Sequence, residues 1–455
     1  MDEVHNSKQA IPLDASLPPL IIGGGLSGCE AALQLSARGI ASELWEMRPT
    51  VMTEAHVSEG LAELVCSNSF KSEDPVRAQG LLKLELDSLG CKLLQIAREC
   101  RLPGGAALVL DREQFSAKVT ETIEADPLVT LRRERFEELQ AQLATGRLVI
   151  MATGPLTSDG LWQQLSELLG DGGCYFYDAT SPVISTKGIN HDVVFSQSRY
   201  DKGGGDDYLN CPFEKDEYEA FRAALLAAEV YPINAADKYL LFEGCLPIEE
   251  LANRGEGTMR HGCLKPKGLV DPRTGRMPYA AVQLRWEDAF QNAMSLVGFQ
   301  TRLRFGEQDR VFAMIPGLEQ VKIMRYGRMH RNSYVEAPKV MLPTLQVREH
   351  PNLIITGQLT GLEGYMSAIS TGLLAGINAS RLLSGNDPQV PPEKSCLGAM
   401  MQFMVNPGHK EYRPTAFQYG MLKWLPEKIR RDRKADLIRT EAEAAWTAME
   451  SLASR

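Results

Sequence analysis

Hydrophobic positions along the chain first cluster at Leu20-Ile21-Ile22, after a polar, proline-interrupted start, and stop at a run of glycines. Three consecutive aliphatics bounded by turn residues predict a short buried strand. Ala31, Ala32 and Leu35 then recur at helical spacing, and Ser42 to Glu46 reads as a second strand. The same texture returns in "RLVIMATGP", Arg147 to Pro155, a strand ending at Thr153-Gly154. It returns again in "NLIITGQLTGLEGYMSAISTGLLAGINA", Asn352 to Ala379, where a strand opens through Gly357, Gly361 and Gly364 into a helix of small residues. The stretch between differs, with polar turns such as "DKGGGDD", a helix over Glu214 to Ala228, and a hairpin predicted across "DPRTG" between "KGLV" and "PYAAVQLR". In the last of these, Ala281, Gln283 and Arg285 alternate with Ala280, Val282 and Leu284, as in a half-buried strand.

Gly23, Gly25 and Gly28 have the G-x-G-x-x-G spacing and stand between a strand and a helix, the context in which that spacing binds a dinucleotide. The first glycine permits the tight turn, the second lets backbone approach a pyrophosphate, and the third lets helix and strand pack closely. Glu46, at the end of the second strand, is placed to accept hydrogen bonds from a ribose. Gly154, with Gly357 and Gly364 of the second glycine-rich passage, favours FAD bound across a discontinuous domain. The expected fold is therefore α/β: a doubly wound FAD-binding domain, Rossmann-like and of glutathione-reductase type, with an inserted α+β domain and a helical C-terminal region. Expected boundaries are a tail over 1–16, FAD-binding parts over 17–160 and 311–385, an insertion over 161–310, and the C-terminal region over 386–455.

Composition narrows this picture without redirecting it. With 455 residues, 44% hydrophobic and 24% charged, the chain has room for several cores. Nine scattered cysteines without a C-x-x-C pair suggest neither a disulfide framework nor a metal site, and point to a reducing cytoplasm. No apolar run approaches membrane-spanning length. The net charge of −9 leaves room for local basic patches, and two are present: "RYGRMHRNSY", Arg325 to Tyr334, and "EKIRRDRK", Glu427 to Lys434. Each reads either as a phosphate-contacting surface or as a solvated face.

Two cysteines stand apart. Cys66 lies among small polar residues in "LVCSNS", and Cys245 precedes a proline and a helix start in "FEGCLPIEEL". A polar turn or helix start can activate a thiol. Free cysteine is also a common small buried hydrophobe, and residue type alone leaves both readings open.

These segments, with "ELWEMRP", "LVCSNSFKSE", "GLVDPRTGR", "RMHRNSY" and "GQLTGLEGYMSAISTGLLAG", resemble the folate- and FAD-dependent tRNA (uracil-5-)methyltransferases, in that family's order from about Pro18 to Ala379. The resemblance implies 5-methyluridine formation in the T-loop of tRNA. Carbon would come from 5,10-methylenetetrahydrofolate and reducing equivalents from FAD recharged by NAD(P)H. It implies Cys245 as the nucleophile toward uracil C6 and Cys66 as the base for the C5 proton. Arg285, His330 and Asn332 are candidates to line folate or uracil, against readings as an ordinary strand arginine and a satisfied histidine. Cys211 is expected to be structural. The implied partner is the tRNA T-arm, with no membrane and no obligatory protein partner. Lys267 in "KPKGL" and the segment "FQYGMLKWLP" depart from the family pattern and leave the RNA target open. Competing readings are the same chemistry on ribosomal RNA, a wobble-uridine modification flavoprotein, a flavin disulfide oxidoreductase, and a non-catalytic RNA chaperone.

Overall fold

The structure is a computed structural model that describes residues 11–170, 173–232 and 246–426, with single positions between 429 and 447. A six-stranded sheet forms around Leu20–Ile22, which lies parallel between Ser42–Trp45 and Val149–Met151. Val129–Arg132 extends one side in parallel, and His350–Ile355 the other. Gln346–Val347 closes that edge antiparallel. Strands from both ends of the chain therefore share one sheet. Leu20, Ile21, Val149, Ile150, Met151 and Leu353 have no exposed surface, as expected of parallel strands covered on both faces.

Against this sheet the helix Leu26–Ser36 packs along the helix Tyr365–Leu383. The approach depends on small residues: a Cβ on Gly372 would lie 2.3 Å from the Ser27 carbonyl oxygen. Two buried glutamates then fasten further helices by their N-termini. Glu30 accepts the N–H groups of Lys92 (3.0 Å) and Leu93 (2.8 Å), and Glu85 those of Cys396 (2.6 Å) and Leu397 (3.1 Å). A carboxylate at a helix N-terminus satisfies orphan donors and meets the positive end of the dipole.

The second sheet runs in the order Phe195–Ser196, Tyr208–Phe213, Ala280–Trp286, Ala293–Leu296, Val183–Ser185, Ile323–Arg325. The helix Lys215–Ala227 begins in a capping box formed by Glu214 and Glu217, and buries Tyr218, Phe221 and Leu225. Three expectations are corrected here. "KGLV" forms no strand, and Ala280–Trp286 pairs instead with Tyr208–Phe213 and Ala293–Leu296. Gln283 and Arg285 are buried as well as their apolar neighbours, because Asn210 and Asn68 bond them inside the fold. The insertion also continues past 310: Val311, Phe312, Ile315 and Leu318 belong to its core, and Ile323–Arg325 to its sheet.

A two-stranded antiparallel ribbon, Gly173–Ala179 with Met329–Val335, links the two sheets in sequence. Beyond residue 386 the described chain contains the buried helix Cys396–Met404 and a short strand, Thr415–Ala416, parallel to Leu362–Glu363. Among the described residues no helix is long and apolar enough to cross a membrane.

Candidate nucleotide cleft and the cysteine loop beside it

The turn after Leu20–Ile22 is shaped by two glycines that the backbone requires. Gly23 has φ +106°, and a Cβ there would lie 2.5 Å from the Ala152 carbonyl oxygen. A Cβ on Gly28 would lie 1.9 Å from the Gly23 carbonyl oxygen. Gly25 is different. Nothing stands within 4 Å of its Cβ position, and the same holds at Gly154 and Gly364. Gly25 also caps the helix Leu26–Ser36 without a side-chain acceptor, which leaves the first-turn N–H groups for an anion.

A cleft runs along this turn, lined by Gly23, Gly25, Glu46, Gly154, Gly357 and Tyr365 among others. The open Cβ positions at Gly25 and Gly154 and the uncapped helix start fit a pyrophosphate lying against backbone. Gly28 and Gly364 are not among the lining residues; Gly28 packs against Gly23, and Gly364 caps the helix that begins at Tyr365. Glu46 accepts the Gly24 N–H at 2.9 Å and bonds Arg48 through both oxygens. Burial raises the Glu46 carboxyl, but the Arg48 hydrogen bonds and charge outweigh it and hold it below the usual range. Arg48, almost fully buried, also pairs with Glu63 at 3.1 Å. Sequence reading passed over Arg48, whose only signal was a cation directly after a predicted strand.

Val65 and Tyr365 both line the cleft, and Cys66 adjoins them. The Tyr365 hydroxyl accepts the N–H groups of Cys66 (2.8 Å) and Ser67 (3.1 Å), so one side chain lines the cleft and holds the loop. Asn68, fully buried, donates to the carbonyls of Leu110 (2.9 Å) and Trp286 (2.8 Å) and accepts from Arg285 Nε at 2.8 Å. Arg285 thus ties the second sheet to the cysteine loop. Arg112 donates to the Leu64 carbonyl and pairs with Glu287. Arg325, the first residue of the 325–334 basic cluster, turns inward to the same group. Burial and then the charge of Arg112 push its pKa down to about 10. Three guanidinium groups against the Glu287 carboxylate leave positive charge beside Cys66, the surroundings that a nucleophilic or basic thiolate uses.

Glu363, which the sequence reading missed, adds a proton-holding group. Its Oε2 accepts from Gln358 at 2.7 Å, and its Oε1 has no hydrogen-bond partner among the described residues. Burial, and then the charge of Asp178, push it up to about 8. The carboxyl therefore keeps its proton at neutral pH within electrostatic reach of Cys66. Its only sequence signal was an acid inside a passage of glycines and aliphatics, "LTGLEGY".

His330 and Asn332 are buried on one face of the strand Met329–Val335, with Asp178 opposite His330. His330 Nδ1 has no hydrogen-bond partner among the described residues and lies 3.9 Å from Glu54 Oε2. Burial lowers its pKa, against a smaller opposing effect of Glu54. Cys211 sits in the core of the second sheet, where burial raises its thiol. Cys245 and most of the 427–434 cluster lie outside the described residues.

A parallel-sheet turn facing a second glycine-rich helix start across one cleft defines a dinucleotide-binding protein assembled from two separated parts of the chain. The family described as GIDA, glucose inhibited division protein A, matches residues 19–387. A relative from Geobacter sulfurreducens is 49% identical over 92% of this chain and 95% of its own, and one from Moorella thermoacetica 47% identical over 90% and 93%. Both carry the name methylenetetrahydrofolate--tRNA-(uracil-5-)-methyltransferase TrmFO. The chain belongs to this TrmFO family of methyltransferases, as its motifs suggested. Among solved structures, GidA of Aquifex aeolicus superposes with a TM-score of 0.67 at 16% identity, covering 96% of this chain and 78% of its own, and so shares the fold.

Proposed function

We propose that this protein methylates C5 of a T-loop uridine in tRNA, taking the carbon from 5,10-methylenetetrahydrofolate and reducing equivalents from NAD(P)H by way of FAD. One observation carries the reading: Tyr365, a residue of the cleft lining, holds the Cys66 loop with its hydroxyl. A redox cofactor in the cleft and a thiol on the loop beside it would then act on the same substrate atoms. The open Cβ positions at Gly25 and Gly154, the helix start at Leu26 and the Glu46 carboxylate would hold FAD. When bound, FAD supplies the two electrons that reduce the transferred carbon to a methyl group.

The chain's own groups account for the remaining steps. Uracil C5 is a weak nucleophile, and a thiolate added at C6 converts it into an enolate that attacks a one-carbon electrophile. Covalent activation divides one difficult step into easier ones. Cys245 takes this role by its family motif, and Cys66 removes the C5 proton. The arginine cluster favours the Cys66 anion, and Glu363, within electrostatic reach of it, serves as the proton-holding group. Arg285 acts through Asn68 as a positioning residue. His330 and Asn332 offer polar groups to the folate or the base. The reaction is assigned to the cytoplasm, with no obligatory protein partner.

The reading is tested by incubating the protein with unmodified tRNA transcript, labelled methylenetetrahydrofolate and NADPH, followed by nucleoside mapping. Label in T-loop 5-methyluridine is the expected result. Label only in ribosomal RNA would keep the chemistry and overturn the target. With 5-fluorouridine RNA, Cys245→Ser abolishes covalent trapping and Cys66→Ala retains it; the reverse pattern exchanges the two roles.

A further inference from the structure

The turn joining Ala280–Trp286 to Ala293–Leu296 carries a side chain that the reaction above does not use. Phe290, at its tip, is 85% exposed, more than any other large apolar side chain among the described residues. The tip is nonetheless firmly built. Asp288 accepts the N–H groups of Asn292 (3.2 Å) and Ala293 (2.9 Å), and Asp111 Oδ2 that of Ala289 (3.0 Å). Thr186 Oγ1 donates to the carbonyls of Gln291 (3.0 Å) and Asn292 (3.2 Å). Gln291 has φ +58°, a left-handed conformation that costs a non-glycine residue about 1 kcal/mol. The fold thus holds an aromatic ring out into solvent instead of letting the turn collapse over it. Because the backbone is already ordered, covering the ring with a partner adds little further ordering cost.

The charge around the tip identifies the partner. Thr186 N donates to the Asn292 carbonyl (3.0 Å) and Ser185 N to that of Lys322 (2.9 Å), which brings Lys187, Lys322 and the Phe290 turn to one end of the second sheet. Both lysines are exposed, and neither ammonium is in an ion pair among the described residues. Of the acids at the turn, Glu287 is paired with Arg112, while Asp111 and Asp288 keep their charge but direct their oxygens onto backbone N–H groups. An exposed ring flanked by uncommitted cations is the arrangement that stacks an unpaired base and grips its phosphates. The base of the same turn is fixed to the cysteine loop, since the Trp286 carbonyl accepts from Asn68. Phe290 lies four residues beyond Trp286, at most roughly 13 Å away, so within about two nucleotides of a single strand.

We propose that Phe290, with Lys187 and Lys322, docks an unpaired nucleotide of the RNA substrate close to the target uridine. This rests on the RNA-methylation reading above.

The test uses the full-length protein with tRNA transcript, comparing the parent with Phe290→Ala, Phe290→Trp and the double variant Lys187→Ala with Lys322→Ala. Phe290→Ala raises the KM for RNA about tenfold, the effect of losing one stacked base, with kcat and RNA-free NADPH oxidation retained. Phe290→Trp restores the KM, and RNA quenches its added indole emission beyond any quenching in the parent. The double lysine variant lowers the slope of log Kd against log salt by about 1.4, for two single-strand phosphate contacts. An unchanged KM in Phe290→Ala, beside a parent that methylates tRNA, overturns the proposal and leaves the methylation reading intact. A parent that methylates no RNA overturns that reading. The indole signal then still decides the docking surface: quenching by RNA supports it, and quenching only on self-association assigns Phe290 to a protein contact and overturns it.

Discussion

Between Gly23 and Gly28 the molecule is shaped by side chains that are missing; around Cys66 it is shaped by side chains that arrive from far away. At Gly28 the nearest obstacle to a Cβ is a carbonyl five residues earlier, so the turn polices its own sequence. At Cys66 and Ser67 the N–H groups are held by Tyr365, and Asn68 is held by Arg285 and the Trp286 carbonyl. The two regions touch at Tyr365, yet one is a local backbone solution and the other a long-range polar network. A local solution fails when one atom is added. A network loses function in portions as its members are removed.

The largest effect is expected where that contrast is sharpest. Gly28→Ala forces the first turn apart, because a methyl 1.9 Å from a carbonyl oxygen cannot be absorbed by rotating a side chain. Overpacking of this kind costs about 3 kcal/mol or more. The purified protein should lose its flavin absorbance and unfold at a lower urea concentration; retention of both would show that the turn is not self-policing.

Asn68→Ala should do less. It strands the Arg285 Nε and the carbonyls of Leu110 and Trp286, at about 2 kcal/mol. The fold and the flavin should survive while the Cys66 loop loosens, seen as faster alkylation of Cys66 by iodoacetamide. An unaltered alkylation rate would mean that Tyr365 alone holds the loop.

The effect of Glu363 is set apart by its dependence on pH. An acid whose pKa is raised on folding binds its proton more tightly in the folded chain. Stability is therefore greatest below its ordinary value of 4.5, falls as pH climbs toward about 8, and is level above that. Glu363→Gln should remove this slope, at most about 1.4 kcal/mol per pH unit, from urea midpoints measured at pH 5, 6.5 and 8. An identical slope in the variant would remove Glu363 as the proton-holding group.

The sequence carried the cleft well. Strand, glycine turn, helix and second strand lie within residues 20–45, and the passage around Gly357 and Gly364 announced a second helix start by the same local chemistry. It carried the insertion less well. Gln283 and Arg285 looked like the solvent face of a half-buried strand, and only the arrival of Asn210 and Asn68 gives them buried partners. Arg325 reads as part of a surface basic cluster until Arg112 and Glu287 are found beside it. Phe290 reads as any loop residue until its exposure and its anchored neighbours are seen together.

The sequence by itself determined where the backbone must turn and where a helix must begin, because φ, the absence of a Cβ and the spacing of apolar residues act on neighbours a few positions away. Whether Cys66 has positive charge beside it, whether Glu363 keeps its proton, and what Arg285 is bonded to were decided only by the tertiary structure. Those properties depend on desolvation and on charges brought together across two or three hundred residues, and no local pattern encodes that distance.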